Sequence, residues 1–300
     1  MKSYLKALRL GRWPRSASII IGTGAYWAIK MNFSLPTYTE ILKVFVAFLI
    51  TWGISTANYI INEIADAPFD KFHPDKGERP VASGQVKRWV LISLFLFLSI
   101  VSLVIAFLFY NRIFFFALAS LLLAGFAYNI RPVRLKDRPY IDSISESINN
   151  PIRFIIGWTA LSSTFPNVFL LLSWWSFGNF LMVGKRLSEL IYLGRETAGQ
   201  YRRSMKFYTR KSLSIFIFVS GALFLIFFLL FAYFEKLPVT GIASLVSVIF
   251  MVNFYRKASK ESVEEPENAL VKGSLFFSLL IFSVLLILGI YIDRVIRGGL

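Results

Sequence analysis

A chain of 300 residues with 56% apolar side chains, 31 Phe, 7 Trp and a mean hydropathy of +0.61 is excluded from being a pair of water-soluble domains. The net charge of +16 invites a nucleic-acid reading, but the bases gather at the ends of apolar runs, so no nucleic-acid partner is expected. The absence of cysteine rules out disulfides and thiolate metal sites.

Nine apolar stretches are expected to cross a bilayer, near 16–31, 40–62, 88–110, 112–128, 141–162, 167–184, 211–234, 237–255 and 270–293. The reading is all-α: one transmembrane domain over 1–300, a polytopic membrane bundle of about nine transmembrane helices with a central cavity opening to the cytoplasmic side. With the N-terminus inside, the inner segments hold five, five, four, eight and four Lys+Arg, whereas the outer side holds Lys30, Arg112, Lys236, Arg294 and Arg297. That asymmetry predicts a multi-pass protein of the cell membrane whose N-terminus and polar loops are cytoplasmic.

Residues 1–15 carry five bases with Trp13 and Pro14 and read as an interfacial segment lying on anionic membrane lipids. The apolar stretch that follows lacks a small-residue cleavage site and is expected to be retained as a first helix. In the span 40–62, Lys43 lies near the outer end and snorkels. Thr56, Asn58 and Asn62 fall on its inner third, where amides need partners and face the bundle interior.

At the inner end of that span Asn62, Asp66 and Asp70 are spaced four apart. Each helical step of four rotates by about 40°, so all three can share one cavity. Carboxylates stacked that way repel unless a hard cation or a positive group sits between them. Pro68 is expected to kink or end the helix, because it lacks a donor and clashes with the Ile64 carbonyl. His73-Pro74-Asp75-Lys76-Gly77 is turn chemistry, with Lys76 and Arg79 supplying positive charge.

A second dense stretch covers 128–153. Asp142, Ser145, Glu146 and Asn149 recur at three- to four-residue spacing and make a polar stripe, extended by Asn150 and Arg153. An arginine at membrane depth pairs with an acid or an anionic ligand. Lys185 and Arg186, with Glu189 one turn on, sit at the inner end of another span, where anchoring to headgroups is an equal account. The acids around Pro266 read as solvated surface.

Carboxylates that hold magnesium, and lysines or arginines that take up charge on a departing diphosphate, describe transfer from a diphosphate-bearing donor, with at least one lipid among the reactants. A lipid or ion transporter using the same polar cavity is the alternative of another class.

The motifs themselves resemble the UbiA superfamily of intramembrane prenyltransferases. N-E-I-A-D-A-P-F-D is similar to its first aspartate-rich motif, with Asn62, Asp66 and Asp70 matching and Glu63 in place of an Asp. Three features resemble the decaprenyl-phosphate phosphoribosyltransferase branch. They are H-P-D-K-G-E-R-P-V-A-S-G over 73–84, the spacing of Lys136, Asp142 and Arg153, and M-V-G-K-R-L-S-E-L over 182–190 followed by Tyr208-Thr209. The resemblance implies a Mg2+-dependent transferase moving a 5-phosphoribosyl group from phosphoribosyl diphosphate to a polyprenyl phosphate. It also implies roles: Asp66 and Asp70 as metal ligands supported by Asn62, with Lys76, Arg79, Lys136, Lys185 and Arg186 on phosphates. Asp142 and Arg153 would complete the pocket, with Asp66, Asp70 and Asp142 as the catalytic acids. The second motif, D-x-x-x-E, half restores an acid pair used by ordinary prenyltransferases. Transfer of an isoprenoid chain from a prenyl diphosphate to a small or aromatic acceptor is therefore the alternative.

Overall fold

The computed structural model describes residues 2–70, 77–261, 263, 269–270 and 273–298, and no strand occurs among them. The helices are α1 (Lys2–Leu8), α2 (Trp13–Ala17), α3 (Ile19–Lys30), α4 (Tyr38–Asp70), α5 (Arg88–Phe109), α6 (Arg112–Asn129), α7 (Ile141–Ser147), α8 (Asn149–Thr159) and α9 (Val168–Tyr201). They are followed by α10 (Arg210–Phe234), α11 (Pro238–Ser244), α12 (Ser247–Ala258) and α13 (Gly273–Ile296). Short 3-10 turns cover Leu10–Arg12, Leu135–Asp137 and Arg203–Phe207.

Seven of the expected spans are helical stretches long and apolar enough to cross a membrane by length and composition, which makes this a multi-pass membrane protein. The other two differ from expectation. The first, 16–31, is divided at Ser18, and its longer part, α3, has 12 residues. At 1.5 Å per residue that is about 18 Å, short of a hydrocarbon core of about 30 Å. The stretch 141–162 is divided at Ile148 into α7 and α8, because Pro151 has no N–H for the Ser147 carbonyl.

The chain forms two compact units. The first comprises Met1–Thr23, Pro36–Phe165 and Leu193–Phe207; the second comprises Gly24–Leu35, Pro166–Tyr192 and Tyr208–Leu300.

In the first unit α4 is the element on which the others pack. Ala47, Ile50, Ile54, Ala57 and Ile61 recur at helical spacing and are buried against α5, α6 and α8. With Phe114, Leu118, Leu121 and Ile156 most of them form one core. Further along, Ile60 and Ala67 meet Ala7, Val81, Val86 and Leu91. The opposite face of α5, at Phe97, Ile100, Val104 and Phe107, is exposed, as a lipid-facing stripe must be. Two glycines permit close backbone crossing: a Cβ on Gly22 would lie 2.1 Å from the Phe154 carbonyl oxygen, and one on Gly157 would lie 1.9 Å from that of Ile19.

Pro68 does not end α4, which carries on to Asp70. The proline sacrifices the bond to the Ile64 carbonyl at a typical cost of about 3 kcal/mol. Burial of Ile60, Ile64 and Ala67 in the second core offsets that loss. Asp70 is therefore presented from the same helix as Asn62 and Asp66.

The second unit is built on aromatic packing. Phe177 of α9 sits 5.3 Å from Phe224 of α10 and 5.6 Å from Phe250 of α12, ring centroid to centroid. Asp293 of α13, buried, accepts from the Val239 amide (3.1 Å), the Thr240 amide (2.9 Å) and the Thr240 hydroxyl (2.7 Å). Its carboxylate thereby caps the N-terminus of α11, whose own Leu237 cap makes no side-chain bond.

Candidate functional site

The C-terminal end of α4 brings Asn62 and Asp66 to one point in the first unit. Lys136, from the turn after α6, donates from Nζ to Asn62 Oδ1 (3.3 Å), to Asn129 Oδ1 (2.7 Å) and to Asp66 Oδ1. Arg134, two residues earlier, donates to Asp66 Oδ1 (3.1 Å) and to Asp137 (3.0 Å), and its guanidinium lies 4.6 Å from the centroid of the Phe69 ring. One turn beyond, Asp70 Oδ2 accepts from Arg79 at 2.6 Å. The expected register of Asn62, Asp66 and Asp70 thus exists, and a base stands against each acid.

Lys136 is almost wholly buried. Loss of water pushes its ammonium down to about 8, opposed by the Asp66 carboxylate and reinforced by the Arg134 and Arg202 cations. Its Nζ also lies 5.8 Å from the centroid of the Tyr128 ring. The Tyr128 hydroxyl donates to Glu146 Oε2 (2.8 Å) and accepts from Arg202 Nη1 (3.0 Å). Tyr128 therefore joins the cluster around Asp66 to a second one around α7.

In that second cluster Asp142 is completely enclosed. Its Oδ1 accepts from the Ser143 amide (2.8 Å), and its Oδ2 accepts from Ser204 Oγ (3.0 Å) and lies 3.6 Å from Arg202 Nη1. Asp142 and Arg153 do not share one continuous helix. Arg153 lies on α8 and reaches Ser55 of α4 at 3.5 Å. Ser55 is seven residues before Asn62, about 10 Å along the helix axis.

Lys185 and Arg186 lie on α9 in the second unit, where Arg186 is fully buried and bonds to Glu189 at 3.1 Å. Lys76 and His73 lie outside the described residues. Asn58, expected to seek a partner, donates to the Leu121 carbonyl at 2.8 Å beside Gly125.

Several partners had no signal in the sequence reading. Asn129, Arg134, Tyr128 and Arg202 arrive from other elements. Glu63, which stands where the first motif has an acid, is buried and pairs with Arg9 of the N-terminal segment at 2.5 Å. That segment docks on α4, with Ala7 in the core.

Oxygens of the type that hard divalent ions take are present here, and in this structure an ammonium holds them. Amide and carboxylate oxygens from Asn62, Asp66 and Asn129 converge around one positively charged atom, the Lys136 Nζ. Among the described residues no three His, Cys, Asp or Glu gather. A cation held here would complete its shell with water and ligand oxygens, as magnesium commonly does.

The model of the UbiA prenyltransferase family matches residues 18–281. The decaprenyl-phosphate phosphoribosyltransferase of Mycolicibacterium smegmatis is 29% identical over 210 residues, covering 70% of this chain and 63% of that protein. The enzyme of the same description from Mycobacterium tuberculosis is 28% identical over 208 residues, covering 68% of this chain and 65% of its own length. The chain thus spans a little under two thirds of these curated relatives. A UbiA homolog from Archaeoglobus fulgidus, solved bound to DMAPP and Mg2+, superposes with a TM-score of 0.69 at 15% identity over 97% of this chain and 98% of that one. A digeranylgeranylglyceryl phosphate synthase structure superposes with a TM-score of 0.65 at 21% identity, over 97% of each chain. Both share the fold.

Proposed function

The chain belongs to the UbiA prenyltransferase family, and from that premise we propose that it is a membrane transferase acting on phosphoribosyl diphosphate and a polyprenyl phosphate. A phosphate oxygen of the lipid forms a bond to the anomeric carbon, the bond from that carbon to the diphosphate breaks, and diphosphate leaves. The observation that carries this reading is the cluster in the first unit, where Asp66 and Asp70 are set among Arg79, Arg134, Lys136 and Arg202. Such a cluster suits a polyanion that arrives with a cation. The curated relatives named for phosphoribosyl transfer support the choice of donor.

Asn62 and Asp66, with Asp70 one turn on, would hold Mg2+, the ion bound in the Archaeoglobus structure. When bound, the ion neutralises charge on the diphosphate. Arg79, Arg134 and Lys136 orient the diphosphate and stabilise its growing charge. The roles of Lys76, Lys185 and Arg186 on phosphates, and of Arg153 in the pocket, rest on the motif resemblance. The distribution of bases supports a cytoplasmic site in the cell membrane.

The test is purified protein in lipid nanodiscs with radiolabelled phosphoribosyl diphosphate and decaprenyl phosphate. The expected result is a labelled lipid and released diphosphate, abolished by EDTA and restored by Mg2+. Turnover of a prenyl diphosphate with a small acceptor, and no labelled phosphoribosyl lipid, would reverse the assignment in favour of prenyl transfer.

A further inference from the structure

Asp142 and Glu146 stand four residues apart on α7, a spacing that lets two carboxylates grip one cation. Their contacts point to a cation that belongs to the chain. Asp142 is enclosed, with Oδ1 satisfied by the Ser143 amide and Oδ2 shared between Ser204 Oγ and Arg202. Glu146 accepts the Tyr128 proton at 2.8 Å, and Tyr128 accepts in turn from Arg202 at 3.0 Å. A buried carboxylate requires compensation, and the guanidinium provides it.

Exposure separates the roles of the two partners. The Asp142 side chain is 0% accessible, whereas Arg202 keeps 17%, close to the 19% of Asp66 and the 20% of Arg79. Asp142 cannot touch a ligand without the fold opening; Arg202 can. The segment that carries Arg202 is anchored at several points, one of them the Ser204 hydroxyl on Asp142. Gly194, with φ +72, turns the chain out of regular helix, and Ser204 and Met205 are buried in the 3-10 turn that packs on Leu135–Asp137. Arg202 is thus held at a fixed place next to Tyr128, whose ring faces Lys136.

We propose that Arg202 is a phosphate-binding residue of this site, that Asp142 and Glu146 serve to position it, and that this acid pair takes no divalent ion of its own. Resting on the reading of a diphosphate site above, it deepens that reading by fixing the number of metals at one. A guanidinium in a planar fork matches two phosphate oxygens at once.

The experiment uses the full chain in nanodiscs, with inorganic pyrophosphate as ligand and Mn2+ as the counted ion. Unmodified protein is expected to bind pyrophosphate with one Mn2+ per chain by electron paramagnetic resonance. Arg202→Gln should weaken pyrophosphate by about 10- to 100-fold, the loss of one charge-assisted contact pair, at an unchanged Mn2+ count. Arg202→Lys, which keeps the charge and loses the fork, should weaken it by about 10-fold. Asp142→Asn should weaken pyrophosphate in the Arg202 background and add nothing in the Arg202→Gln background, because it acts through Arg202. A second Mn2+ in the unmodified protein, unchanged pyrophosphate affinity in either Arg202 variant, or full additivity with Asp142→Asn overturns the proposal. Absence of both Mn2+ and pyrophosphate binding in the unmodified protein instead sinks the diphosphate reading, and the role of Arg202 with it.

Discussion

Lys136→Met is the most informative single change, because the ammonium it removes lies where three oxygens converge. Nζ bonds to Asn129 Oδ1 at 2.7 Å and Asn62 Oδ1 at 3.3 Å, and pairs with Asp66. At an effective dielectric of about 20 the attraction to Asp66 is about 5 kcal/mol, most of it offset by the water both groups have given up. Asp66 does not lose all compensation, since Arg134 stays at 3.1 Å. The expected net loss is about 2–3 kcal/mol, below the 3–5 kcal/mol typical of a buried charge left wholly unpaired. Thermal unfolding in detergent, followed by tryptophan fluorescence, reads this as a drop of several degrees. Asp66→Asn in the same background should recover much of it, because the carboxylate that needed a cation is gone. A double-mutant cycle is therefore expected to give a coupling of about 1–2 kcal/mol. Additivity within about 0.5 kcal/mol would refute the claim that Lys136 neutralises Asp66.

Arg9→Met leaves Glu63 buried without its cation and should cost about 3–5 kcal/mol, whereas Arg9→Met with Glu63→Met should return close to the starting stability. Limited proteolysis of the N-terminal segment checks both, since only the single variant is expected to release it. Asp293→Ala removes the acceptor for three bonds at the start of α11 and should lower stability by about 2–3 kcal/mol. Its turnover per folded molecule, measured with the labelled donor, should be unchanged. Gly157→Ala forces a Cβ to within 1.9 Å of the Ile19 carbonyl oxygen, so α3 and α8 must part. A loss of at least about 2 kcal/mol is expected, visible as a lower melting temperature.

What was legible in the chain follows from periodicity and composition. Apolar runs of bilayer length announce themselves, and the four-residue spacing of Asn62, Asp66 and Asp70 places them on one face of α4. Lys136 and Asp142 were found through motif spacing. The misjudged boundaries come from local backbone chemistry that hydropathy does not register. Pro151 carried the signal for the break before α8, and Pro68 was over-read because the burial of Ile60 and Ala67 around it is a tertiary fact. Asn129, Arg134, Tyr128 and Arg202 were invisible for another reason. Each is an ordinary polar residue until the fold brings it to a partner: Arg134 to Asp66, 68 positions away, Tyr128 to Glu146, 18 away, Arg202 to Tyr128, 74 away, and Asn129 to Lys136, 7 away. Arg202 in particular was one of eight bases in its loop, and counting charge cannot distinguish a headgroup anchor from a residue set against Asp142. Glu63 shows the converse. It stands in the motif in place of an Asp, and Arg9 draws it into a structural pair.

The balance of charge within the cluster then explains why an acid-rich motif belongs in so basic a protein. Among the described residues Asp66, Asp70, Asp137, Asp142 and Glu146 are linked to Arg79, Arg134, Lys136 and Arg202 through direct bonds or through Tyr128. The acids match the bases or exceed them slightly, although the chain as a whole stands at +16. Four cations this close, largely out of water, would repel one another strongly without the carboxylates. With them, the site has little net charge to attract a bare diphosphate. A polyanion therefore enters favourably only if it brings positive charge of its own, and a divalent ion is the compact way to do so. The carboxylates have two tasks on this account: they hold the bases in place while the site is unliganded, and they make binding of the diphosphate conditional on its cation. Arg202 shows the first task most plainly, since its Nη1 lies 3.6 Å from Asp142, a carboxylate sealed from solvent, while the arginine side chain keeps 17% of its exposure.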